Sequence, residues 1–123
     1  MSIERLGYYA FYGTLRQGME NHPAFAKTLN YLGITTLKGY RMYSLLEYPY
    51  IIYTGDECDS IVAELFRITS FETEQMIYEM ECEAGYIRSL VEIDGNKFGL
   101  YIFTENNSAH VPVPDGDWVR HAL

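Results

Sequence analysis

The chain has 123 residues, a length that suits one domain built around one core. Hydrophobic residues make up 48% and charged residues 21%, which excludes a disordered chain. A net charge of −8 excludes a general nucleic-acid binder and a domain that docks on anionic lipid, since both need a basic footprint.

No apolar run approaches the roughly 20 residues of a membrane helix, and Met1 to Leu6 lack an apolar core of signal-peptide length. Cys58 and Cys82 cannot make a disulfide framework. The expected setting is a reduced cytoplasm. No repeat, low-complexity tract or linker interrupts the sequence.

Residues 7 to 12 are apolar on both faces and read as a buried central strand. A helix is expected next: Asn21 or His22 caps it, Pro23 suits its first turn, Phe25, Leu29 and Leu32 fall at helical spacing, and Gly33 stops it. Thr35 to Tyr43 reads as a strand, Leu45 to Tyr50 as a bend broken by Pro49, and Ile51 to Tyr53 as a short strand. Ser60 to Ile68 alternates as a strand. Thr69 and Glu72 have capping-box spacing for a helix that runs to about Glu81. Tyr86 to Ile93 and Phe98 to Phe103 form a hairpin across Asp94-Gly95-Asn96. The tail from Val111 to Trp118 is extended and proline-broken, with Trp118 packed on the sheet. About six strands and two main helices make an α+β domain with a small, barrel-like mixed sheet.

Two features carry chemistry. Tyr12-Gly13-Thr14-Leu15-Arg16 directly follows the first strand. Glycine lets the backbone turn and a ligand approach, and successive amides without ladder partners can receive an anion or a developing oxyanion. The second feature is the acidic helix with Glu72, Glu74, Glu79, Glu81 and Glu83. At about 100° per residue, Glu72, Glu79 and Glu83 turn away from Ile77 and Met80, whereas Glu81 lies about 40° from Ile77, beside the apolar face. An inward carboxylate without a basic partner has a raised pKa, which a general base near neutrality needs. The rest of the acidic face reads as solvated surface.

In this order and spacing the two features resemble the gamma-glutamylcyclotransferase-like superfamily, also called the avirulence-induced-gene family. That family opens with a strand and a Tyr-Gly-Ser/Thr-Leu loop, here Tyr12-Gly13-Thr14-Leu15. It carries a later helix with a Leu-Asp-x-x-Glu pattern, here Ile77-Tyr78-Glu79-Met80-Glu81, followed by Ala84-Gly85-Tyr86. Tyr43-Ser44-Leu45 through Tyr48-Pro49 and Gly116-Asp117-Trp118 also look like family segments, so the resemblance spans nearly the whole chain. Three departures stand out: Tyr78 replaces the usual Asp, Cys82-Glu83-Ala84 opens the usual Glu-Gly pair, and Glu83, two residues after Glu81, becomes the functional acid if the register shifts.

The resemblance implies cyclisation of a gamma-glutamyl amide to 5-oxoproline with release of an amine or amino acid. It implies Glu81 as general acid/base, and Tyr12, Gly13, Thr14, Leu15, Arg16 and Tyr86 as substrate-binding residues, with Tyr101 a further candidate for the pocket wall. Arg16 serves substrate through its charge or simply faces solvent. No metal or organic cofactor is implied, and the scattered His22, His110 and His121 lack ligand spacing. A Cys82 nucleophile is a minor alternative. The alternative from another class is a non-catalytic small-ligand or partner-binding module on the same fold.

Overall fold

The computed structural model describes residues 3–122. Its strands are Tyr8–Phe11 (β1), Leu29–Lys38 (β2), Tyr40–Ser44 (β3), Pro49–Tyr53 (β4), Ser60–Ile68 (β5), Ile87–Ile93 (β6), Asn96–Ile102 (β7) and Val111–Pro112 (β8). The helices are Phe71–Glu83 (α1) and Trp118–Ala122 (α2). The α+β class is as expected, with eight strands among the described residues where about six were expected.

The apolar run of β1 lies at the centre of a five-stranded mixed sheet, ordered β2-β5-β1-β7-β6. β1 is antiparallel to β5 and parallel to β7, so its end opens into a loop rather than a hairpin. The second sheet is ordered β4-β3-β8. Ala10, Leu37, Met42, Ile51, Ile61, Ala63 and Leu100 come from both sheets and share one buried cluster, which also takes in Trp118. A second cluster, with Tyr9, Phe11, Phe66, Ile68 and Ile77, brings α1 onto the chain's core.

The helix expected from Asn21 or His22 to Gly33 does not form. Met19, His22, Phe25 and Thr28 each donate an amide to the carbonyl three residues back, which makes a series of tight turns ending in a short 3-10 turn at Ala26–Thr28. Such turns reproduce the three-residue spacing that suggested a helix. From Leu29 onward β5 captures the chain as an antiparallel partner. That long-range pairing overrides local periodicity. Gly33 is therefore no helix stop: it sits at φ +144° beside the register shift of a bulge in β2. The strand expected from Thr35 to Tyr43 is divided at Gly39, whose φ of +90° turns the chain from one sheet into the other.

Elsewhere the boundaries move slightly. Ser70, rather than Thr69, caps α1 by accepting from the Thr73 amide. The expected hairpin forms, with a tighter turn of only Asp94 and Gly95, both at positive φ, since Asn96 already pairs with Ile93. The tail is extended only at β8 and then coils into α2. Gly116 clasps this tail to β5: its carbonyl accepts from the Val62 amide at 2.9 Å, and a Cβ on it would fall 2.1 Å from the Ser60 carbonyl oxygen. Among the described residues no helix is long and apolar enough to cross a membrane.

Candidate active site

The loop after β1, the bend between β3 and β4, the end of α1 and the inner side of α2 enclose a cavity of about 730 Å³. That volume suits a small metabolite. Of the residues expected to bind substrate, Tyr12, Gly13, Thr14, Leu15 and Tyr86 lie on its wall, and so does Tyr101. Pro49 packs so closely on the loop that a Cβ at Gly13 would lie 3.0 Å from its ring carbons. A side chain there would fit only if the loop or the Pro49 ring shifted by a few tenths of an ångström. Asn21, also on the wall, holds the loop by donating its amide and its Nδ2 to the Thr14 carbonyl and Oγ1 at 3.0 and 2.8 Å. His22 Nδ1 lies 2.9 Å from the Leu15 carbonyl. The amides of Gly13, Thr14 and Leu15 donate to no acceptor among the described residues.

Arg16 takes a different place. It is 4% exposed and is not on the cavity wall. Its Nε donates to Glu64 Oε2 at 2.7 Å and its Nη1 to Asp117 Oδ1 at 2.8 Å. Both sequence readings of Arg16 thus give way to a structural one: it ties the loop to β5 and to the start of α2. With its charge spent on two carboxylates, it offers little to a ligand.

Glu81 is half-buried on the cavity wall. Its carboxylate has no ion pair and accepts no hydrogen bond among the described residues. Burial alone pushes its pKa up to about 7. Glu83 is exposed and off the wall, as is Cys82. Between the two acids left open by the sequence, only Glu81 reaches the cavity. The Tyr86 hydroxyl donates to the Pro49 carbonyl, and the Tyr12 hydroxyl donates to the Tyr101 carbonyl at 2.6 Å. Tyr86 therefore braces the bend that braces Gly13, and both phenols are held protonated, chiefly by burial.

Several contributors escaped sequence reasoning. Glu74 was counted with a solvated acidic face, yet it is 1% exposed. It accepts from the Leu6 and Gly7 amides at 2.8 and 3.2 Å and from the Tyr9 hydroxyl at 2.7 Å, with Arg88 Nη1 3.6 Å away. Its spacing from Ile77 was the available signal, because i−3 borders the apolar face as i+4 does. Leu46, Glu47 and Tyr48 form the cavity's rim; Leu46 holds φ +78° and its amide donates to Ser44 Oγ. Trp118 and His121 of α2 complete the wall. No group of three or more His, Cys, Asp or Glu that could hold a metal ion occurs among the described residues.

A family model described as gamma-glutamyl cyclotransferase, AIG2-like, matches residues 9–120. Similar solved structures include a protein of Pyrococcus horikoshii, 26% identical with a TM-score of 0.74, covering 94% of this chain and 93% of that one. Protein ytfP of Escherichia coli is 22% identical with a TM-score of 0.69, covering 94% and 99%. An AIG2-like protein of Mus musculus is 16% identical with a TM-score of 0.63, covering 86% and 81%. No curated protein matches the sequence.

Proposed function

Because this chain belongs to the gamma-glutamyl cyclotransferase, AIG2-like family, we propose that it cyclises a gamma-glutamyl amide to 5-oxoproline and releases an amine or amino acid. One observation carries the reading: Glu81, unpaired and pushed up to about 7, shares a cavity with the free amides of Gly13 to Leu15.

The reaction is intramolecular, so positioning supplies much of the rate. Glu81 takes a proton from the substrate's α-ammonium group. The freed amine attacks the γ-carbonyl carbon and closes a five-membered ring. Glu81 returns a proton to the leaving nitrogen as the old C–N bond breaks, and the second proton of the ring nitrogen passes through the carboxylate to the departing amine, which leaves as an ammonium beside the neutral lactam. The charge that develops on the γ-carbonyl oxygen, or the substrate's carboxylate, is met by the loop amides. A carboxyl group near pH 7 both accepts and returns the proton, whereas an ordinary Glu at about 4.3 is a feeble base. The substrate is a small molecule, and the proposed compartment is the cytoplasm.

The binding-module alternative called for a Glu81 held in a salt bridge or a filled pocket, and neither is found among the described residues. The test is a screen of gamma-glutamyl amines and dipeptides for 5-oxoproline release, with wild type beside Glu81→Gln. Release by wild type and its loss in a folded variant is the expected result. Equal release by both removes Glu81 from the chemistry.

A further inference from the structure

Glu64 is 6% exposed on β5, opposite Phe11, the last residue of β1, and opposite Ile34 of β2. An acid buried in a sheet lowers stability unless it is answered. Both of its oxygens are answered. Oε2 accepts from Arg16 Nε at 2.7 Å, and Oε1 accepts from the Gln17 amide at 2.9 Å. Arg16 reaches further and donates from Nη1 to Asp117 Oδ1 at 2.8 Å. The same Asp117 oxygen accepts from the Arg120 amide at 3.3 Å, at the start of α2.

Two sides of the cavity thus hang from one strand. Tyr12 to Leu15 are bracketed between the β1 ladder, which ends at Phe11, and Arg16 and Gln17, which are fixed on Glu64. Across from them α2 brings Trp118 and His121 to the wall. Its segment meets β5 through the Gly116 carbonyl on the Val62 amide, and again through Asp117 and Arg16. Glu64, Arg16 and Asp117 themselves do not line the cavity. A buried ion pair is poor evidence of stability, because well-packed apolar side chains often serve as well. What it adds is direction: a guanidinium held at Nε and Nη1 by two carboxylates has one orientation.

We infer that Glu64 is a positioning residue of this site: through Arg16 it fixes the loop after β1 and α2 relative to each other, and so fixes the shape of the cavity that faces Glu81. The inference rests on the proposed reaction for what that geometry serves. Glu64 acts at a distance, by holding two walls, and touches no substrate.

The test separates orientation from stability. The full chain carrying Arg16→Met and Glu64→Leu together exchanges both buried charges for apolar side chains. Its melting temperature is expected to stay close to that of wild type, while kcat for 5-oxoproline release falls about tenfold or more, as misplaced walls cost orientation. The pH at which the rate is half-maximal stays where it is, because neither residue touches Glu81. A double variant as stable and as fast as wild type overturns the inference. Asp117 tests the same link whether or not that protein folds. Asp117→Ala keeps the Arg16–Glu64 pair and cuts the tie to α2, whereas Asp117→Asn keeps an oxygen for both donors. In nitrogen-15 spectra, Asp117→Ala is expected to shift the amides of Gly13 to Leu15 and of Gln17, which Asp117 reaches only through Arg16. Its kcat falls about tenfold with little change in KM, and Asp117→Asn recovers most of both effects. Loop amides that stay put in Asp117→Ala, or a loss that Asn does not recover, overturn the inference. The spectra are read without turnover. A wild type that releases no 5-oxoproline removes the proposed reaction, whereas an active wild type beside an equally fast double variant removes this inference alone.

Discussion

Glu74 and Glu81 stand seven residues apart on α1, on nearly the same side of the helix, and they live in opposite circumstances. Glu74 is sealed in and answered by two amides, a phenol and a nearby guanidinium. Glu81 meets the cavity with nothing within bonding reach among the described residues. Burial alone thus does not make a carboxylate reactive; burial without partners does. The first turns of α1 spend an acid on holding residues 6 and 7 against the helix, and the last turn keeps one unspent.

This contrast can be broken by exchanging what each acid is asked to do. The largest effect is expected in Glu81→Gln, where kcat/KM for 5-oxoproline release falls by about 10²- to 10⁴-fold, the usual worth of a general acid–base group. Urea unfolding of that variant shows no loss of stability at pH 8, since an unpaired carboxylate has been removed. Glu74→Ala does the reverse. It strands the Leu6 and Gly7 amides and the Arg88 charge, and lowers unfolding free energy by about 3–5 kcal/mol. If Glu74→Ala were as stable as wild type, the division between the two acids would collapse.

Smaller effects sharpen it. Gly13→Ala pushes against the Pro49 ring, so the loop or the bend must give. Single-turnover rates are expected to drop about tenfold with little change in melting temperature, because a misplaced loop costs orientation before it costs stability. A further effect, screened by the half-exposed position of Glu81, is in the pH dependence. The Glu81 pKa is raised on folding from 4.5 to about 7, so the native state favours its protonated form. Its contribution to stability is complete below about 4.5 and is lost as pH rises through about 7. Catalysis runs the other way, rising as the base form appears near 7. Comparing denaturation midpoints of wild type and Glu81→Gln from pH 4 to pH 8 isolates the effect, which is absent in the variant.

Much of this was legible in the residues. The apolar run of β1, the alternation of β5 and the Asp94-Gly95 turn are local signals, and each marks its element. Glu81 was legible because its spacing from Ile77 fixes its side of a helix. The stretch from Asn21 to Gly33 misled because consecutive tight turns imitate helical spacing, and because the partner that makes β2 a strand lies about thirty residues away. Arg16 was unreadable for a similar reason: Glu64 and Asp117 are distant in sequence, and only the fold brings them to it. In α2 the packing of Trp118 was legible, but the helix was not, since five residues after a proline-broken tail are too few to show a period.

The clasp at Gly116 has a consequence for how this molecule tolerates change. Any side chain there collides with the backbone of Ser60 and Ile61, so the segment carrying Trp118 must lift away from β5. Glu81 and its helix would stand untouched while the cavity lost the wall that Trp118 and His121 supply. Such a protein would keep its unpaired acid and its sheets, yet hold a ligand with one side missing. A glycine with no chemistry of its own therefore sets the shape of the space that a ligand can fill.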